Sequence, residues 1–177
     1  MWLASPQRLS VSAAELLHGL CKLLNDCGLE IGRANVVVRT LHPQLEMLIY
    51  TWRPSESDRV KINSTQSVMG RRMLSMNGGD VEEFFIAHGH GNEEMWRASP
   101  FYAVLQSERS LRLEIRESES EPEFPIVDDL LKLGLTDYNV LYLELPMPYS
   151  GCISFASSRA GGFTEQELET LESLRPL

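Results

Sequence analysis

Tyr138 to Leu171 reads YNVLYLELPMPYSGCISFASSRAGGFTEQELETL. Tyr138 to Leu145 is a run of aliphatic and aromatic residues, and Gly151 to Ser157 is a second one. Pro146 to Ser150 separates them with turn chemistry, so the pair predicts two adjacent strands. Thr164-Glu165-Gln166-Glu167 then forms a capping box, in which the threonine and the glutamate each satisfy a free backbone N–H. Phe163 and Leu168 flank it as a hydrophobic staple, and Leu168, Leu171 and Leu174 continue one apolar stripe as far as Pro176. Strand, strand and well-started helix point to an α+β protein.

Upstream, Phe124 to Leu133 predicts a short helix closed by Gly134, and Leu111 to Ile115 alternates as a half-exposed strand does. Ser99 is a predicted N-cap with Pro100 at the first helical position, and Phe101, Val104 and Leu105 form the buried face of that helix. Val81 to Ala87 fits either a strand or a helical turn. Asn77 to Asp80 is a turn, and Val60-Lys61-Ile62 a short strand. Ala34 to Leu41 and Met47 to Trp52, joined by a short link at His42-Pro43, predict an antiparallel hairpin.

The first helix runs from a second capping box, Ser12-Ala13-Ala14-Glu15, to Cys27, with Gly28 as its stop. Leu16, Leu17, Leu20, Cys21, Leu23, Leu24 and Cys27 form its apolar half. The expected architecture is a central antiparallel sheet flanked by helices, the first and the last among them. Residues 1–11 read as an N-terminal arm and residues 12–177 as one domain.

Composition narrows the function. The chain has 177 residues, 43% hydrophobic and 23% charged, with a formal net charge of −9. That balance repels phosphate backbones, and Arg71-Arg72 is too small a basic patch to reverse it, so no nucleic-acid partner is expected. No apolar run approaches the roughly 20 residues of a membrane helix, and Met1 to Arg8 is no signal peptide. A cytoplasmic protein follows. The acidic run at Glu117, Glu119, Glu121 and Glu123 reads as a solvated loop. Cys21, Cys27 and Cys152 read as reduced core thiols.

Chemistry-bearing motifs are few. Gly78-Gly79 and Gly161-Gly162 lack the context of a nucleotide loop, and no metalloprotease helix is present. His88 and His90 could give two metal ligands but stand on a glycine-separated loop without a cysteine, so no metal is expected. Ser150-Gly151-Cys152 is explained by strand burial rather than nucleophilic catalysis. His18 and His42 have no evident partner. The aromatic residues Trp52, Trp96, Phe101, Tyr102, Tyr138 and Phe155 fill a core, and Trp52, Trp96, Phe101, Tyr102, Asp137 and Tyr138 are the candidate lining of a ligand pocket. No cofactor is read from these residues.

Thr40-Leu41-His42-Pro43, Trp52-Arg53, Ala98-Ser99-Pro100-Phe101-Tyr102, Gly134-Leu135-Thr136-Asp137-Tyr138 and Ala160-Gly161-Gly162-Phe163-Thr164 occur in this order. Together they resemble the N-terminal GAF-like domain of a group of bacterial class III adenylate/guanylate cyclases, from about Ala14 to Leu177. The resemblance implies a GAF/PAS-type fold and a regulatory ligand-sensing or dimerisation role, exerted through the last helix on a covalently linked cyclase domain. The metal-binding aspartates of a cyclase have no counterparts here, so this chain is not expected to be an enzyme. The asparagine–lysine signature of cyclic-nucleotide-binding GAF domains is absent, as is a cysteine suited to bilin attachment. The alternatives are a small stand-alone enzyme using the aromatic pocket with Asp137 or the His88/His90 pair, and a structural adaptor without a ligand.

Overall fold

The computed structural model describes residues 11–55, 70–76, 79–89, 93–116, 122–146 and 149–175. The expected Val60 to Ile62 strand, most of the arm, His90 and most of the acidic run lie outside these residues.

Among the described residues, seven strands form one antiparallel sheet: β1 (Ile31–Arg39), β2 (Leu45–Arg53), β3 (Gly70–Met76), β4 (Gly79–Ala87), β5 (Leu111–Glu114), β6 (Asp137–Leu143) and β7 (Ser150–Ser157). Their order is β3-β4-β2-β1-β7-β6-β5. Val81 to Ala87 is therefore strand. The β1–β2 hairpin pairs Val37 with Ile49, and β1 pairs on its other side with β7 through Val37 and Cys152. The predicted hairpin is present, but β1 starts at Ile31 rather than Ala34 and carries a bulge between Ile31 and Arg33.

Five helices among the described residues cover the two sheet faces: α1 (Ala13–Asp26), α2 (Glu93–Arg97), α3 (Pro100–Ser107), α4 (Ile126–Lys132) and α5 (Glu165–Glu172). Both capping boxes are made, at Ser12 with Glu15 and at Thr164 with Glu167. Ser99 caps α3 with Pro100 in its first turn. Gly28 and Gly134, which follow the ends of α1 and α4, have positive φ of 91° and 69°, the left-handed geometry that glycine adopts without a Cβ penalty. The helix α2 was not foreseen.

One core lies between the sheet and α1 with α5. It contains Leu17, Leu20, Cys21 and Leu24 of α1, Trp52, Val81, Leu141, Ile153 and Phe155 of the sheet, and Phe163 and Leu171. Leu168 packs against it, so the staple holds the start of α5 on this core. The second core lies under α3 and α4, where Val37, Ile86, Val140 and Cys152 meet Phe101, Val104 and Leu130. Two members of the expected α1 stripe sit elsewhere. Leu23 is exposed, and Cys27 is an exposed thiol because it occupies the C-cap, where the helical period ends.

Candidate functional site: the sheet face beneath α2 to α4

Side chains alternate across each strand, so register assigns every residue to a face. Ala34 faces Trp52, Trp52 faces Val81, and Ala34 also faces Phe155. One residue along, Asn35 faces Thr51, Thr51 faces Glu82, and Asn35 faces Ser154. The first row is apolar and lies under α1. The second is polar and crosses the middle of the sheet on the α2–α4 side, and all its members are buried.

Arg33 joins this row from the β1 bulge. Its Nε donates to Asn35 Oδ1 at 3.0 Å, and Asn35 Nδ2 donates to Thr51 Oγ1 at 3.1 Å. Only 8% of Arg33 is exposed, and its Nη1 is buried with no hydrogen-bond acceptor among the described residues. Burial depresses the affinity of this guanidinium for its proton. Tyr138 offsets that effect, the positive charge of Arg53 adds to it, and Asp129 and Glu82 oppose it. Ser154 Oγ is also buried without a partner, facing the Tyr138 hydroxyl outside good hydrogen-bond geometry. Burial pushes the Tyr138 phenol up to about 12, with Ser154 and Arg33 pulling the other way. Unpartnered buried polar atoms are uncommon in folded proteins, and several close together mark a place where stability is not the sole constraint.

A cavity of about 210 Å³ opens at the end of this row, lined by Gly32, Arg33, Arg53, Pro54, Leu133, Leu135 and Ser158. Leu135 closes in on Gly32, where a Cβ would stand 2.7 Å from Leu135 Cδ2. The lining joins the β1 bulge, the end of β2, the α4–β6 connection and the residue after β7.

The six residues singled out from sequence are not gathered in one place. Trp52 is buried under α1, where its Nε1 donates to His18 Nδ1 at 3.1 Å, so His18 does have a partner. Tyr138 and Phe101 belong to the opposite core, and Trp96 meets Tyr102 edge-on at 6.0 Å between ring centroids. Asp137 lies on the α1/α5 face. It accepts from Arg112 Nη2 at 2.7 Å and from the Phe163 N–H at 2.9 Å. Arg112 also donates to Phe163 O, and the Asp137 contact holds its proton more firmly. A Cβ on Gly162 would run into the Asp137 carboxylate. Asp137 is thus a structural clamp between the sheet and the start of α5.

Cys152 is fully buried, which pushes its thiol pKa up and leaves it protonated. His88 Nε2 lies 3.2 Å from His42 O, and the His42 ring accepts from Gln44 N–H, so His42 too has partners. No three His, Cys, Asp or Glu side chains gather as metal ligands among the described residues. Nor is any described helix long and apolar enough to cross a membrane.

Arg33 is not evident in the sequence because the strand reads as starting at Ala34, three residues after its actual start at Ile31. The available signal was the Ile31-Gly-Arg33 run entering a β-branched strand, with an isolated charge where an apolar residue was due.

The architecture superimposes on a GAF domain of a two-component sensor histidine kinase from Bacillus halodurans, with a TM-score of 0.52 at 12% identity over 93% of this chain and 88% of that one. The fold is a GAF fold. No protein-family profile matches the sequence, and no curated protein matches it. In this GAF fold, the polar row and its cavity occupy the α2–α4 side, while α1 and α5 contribute to the core on the other.

Proposed function

We propose that this chain is a regulatory module that senses a small molecule, dimerises, or does both, and controls a covalently linked effector through α5. The observation that carries the reading is the buried polar row ending at a lined cavity. An apolar stripe would stabilise that sheet face at lower cost. The resemblance of the five sequence strings to cyclase regulatory domains favours a nucleotide cyclase domain as the effector and the cytoplasm as the compartment.

The geometry supplies a route from cavity to helix. Ser158 lines the cavity, and the adjacent Arg159 makes a bidentate contact with Glu167, both Nη1 distances being 2.8 Å. Glu167 belongs to the capping box that starts α5. Arg159 Nε also reaches Glu30, just before β1. A ligand that favours one position of the segment after β7 over another therefore biases the start of α5. A ligand that binds both positions equally transmits nothing.

Titration with a metabolite panel, followed by amide exchange across α5, tests this. The expected result is a ligand that changes exchange at Thr164 to Leu168 and whose effect disappears in Arg159→Gln. If nothing on the panel binds and the chain stays monomeric at all concentrations, the regulatory reading falls. For the effector, a reading frame that continues past Leu177 into a cyclase domain supports the assignment, and any other continuation overturns it.

A further inference from the structure

Glu30 sits in an unfavourable backbone conformation. Its φ of 54° lies in the left-handed region, where a residue with a Cβ is strained, and Gly28 already occupies that region at 91°. The turn between α1 and β1 therefore holds two left-handed residues. Leu29 between them is buried in the core under α1, while the Glu30 side chain is exposed. That carboxylate has a partner. Arg159, on the turn after β7, donates from Nε to Glu30 Oε1 at 3.2 Å and from Nη2 to Gly28 O. Its Nη1 holds Glu167 on α5, so one guanidinium binds two segments that lie far apart in the sequence.

Each end of this contact reaches into a helix. In the last turn of α1, Asn25 Nδ2 donates to Ile31 O, and Asn25 Oδ1 accepts from the Ile31 N–H, which ties the helix to the turn and to β1. On α5, Glu167 Oε2 also accepts from the Thr164 N–H at 2.8 Å and from its hydroxyl at 3.0 Å. The carboxylate that Arg159 holds is thus the one that starts the helix. Glu167, and then Glu30, make Arg159 hold its proton more firmly. Asp137 differs, because it grips the Phe163 N–H from a buried position and fixes where the chain enters α5. The Arg159 contacts are more solvated, with 56% of the Glu30 side chain exposed, and such ion pairs open at small cost.

We infer that Arg159 is a positioning residue that latches the α1–β1 turn to the first turn of α5, so that the end of α1 and the start of α5 order each other. A planar guanidinium already oriented by two acceptors loses little more freedom in binding a third, which makes the contacts cooperative. With the latch closed, Glu30 is held in its left-handed conformation and Glu167 in its capping position. With it open, Glu30 is free to relax and Glu167 loses one of the partners that fix it. The latch goes beyond the sensing reading: it gives α5 an input from α1, and it stands whether or not the cavity takes a ligand.

Amide exchange on the full chain tests the latch. Glu30→Gln speeds exchange of the Glu167 and Leu168 amides by about threefold, although Glu30 makes no hydrogen bond to either residue. Glu167→Gln keeps a capping box, which glutamine also completes, and speeds exchange of the Ile31 amide by about threefold. In Arg159→Gln, neither substitution has any further remote effect. Circular dichroism confirms that the variants fold. Effects confined to each substituted segment overturn the inference. So does a remote effect that persists undiminished in Arg159→Gln, since the coupling then runs through other residues. Equal acceleration across the whole sheet overturns it too, because that is a general loss of stability.

Discussion

From the same strands, β1, β2, β4 and β7, the two faces of the sheet draw opposite chemistry. Toward α1 and α5 they present Ala34, Trp52, Val81 and Phe155. Toward α2 to α4 they present Asn35, Thr51, Glu82 and Ser154. The first face removes apolar surface from water, the main favourable contribution to folding. The second buries groups that give back little of their hydration cost, and some give back none. On the α1/α5 side, Glu83 of β4 is buried opposite Tyr50, and Asp137 is paired to Arg112 near the β5 edge. One face is apolar across its middle strands, and the other buries a polar row beside an apolar core of its own.

That contrast can be broken by mutation. Phe155→Ala removes a wholly buried ring from the apolar face and should cost about 3–5 kcal/mol in urea unfolding. A loss below that found for polar-face substitutions would erase the distinction. Asp137→Ala should cost about 2 kcal/mol, less than a fully buried pair because Arg112 is partly solvated. It should also speed exchange of the Phe163 amide.

Ser154→Ala, next door to Phe155 but facing the other way, should raise stability by about 1 kcal/mol, since the hydroxyl it removes is buried and unpartnered. A loss of similar size would show that this hydroxyl is satisfied in solution. The smallest effect concerns pH. Burial raises the Glu167 pKa, but the Thr164 N–H and Arg159 outweigh it, so the carboxyl sits below its ordinary value. A depressed carboxyl stabilises the folded state at neutral pH, and that contribution is lost as pH falls through its folded pKa. Glu167→Gln should flatten the acid side of the stability curve by about 0.5 kcal/mol.

What sequence inspection could read depended on distance along the chain. Both capping boxes, the Ser99-Pro100 start of α3 and the glycines that follow α1 and α4 involve residues within a few positions of one another, and all were legible. Cys27 was misplaced because the 3.6-residue period has no knowledge of where the helix stops. The candidate site failed for a different reason. Trp52 and Tyr138 look equally suited to a pocket, but strand parity sends them to opposite faces, and parity is known only after register is fixed. Arg33 and Arg53 meet only because the hairpin folds back in one register, and Leu133 and Leu135 reach them from a distant connection.

The place of β1 in the sheet has a consequence for how the chain is made. Its partner on one side, β2, follows it immediately, whereas its partner on the other, β7, closes the sheet only after residues 150–157 exist. A nascent chain that has folded its first strands therefore presents the Val36-Val37-Val38 edge with its ladder groups unpaired. Such an edge recruits any available strand, and non-local pairing of this kind forms slowly. Aggregation during synthesis should consequently be set by how quickly β7 reaches β1. Substitutions that slow β7 docking would lower soluble yield even when the finished protein is as stable as before.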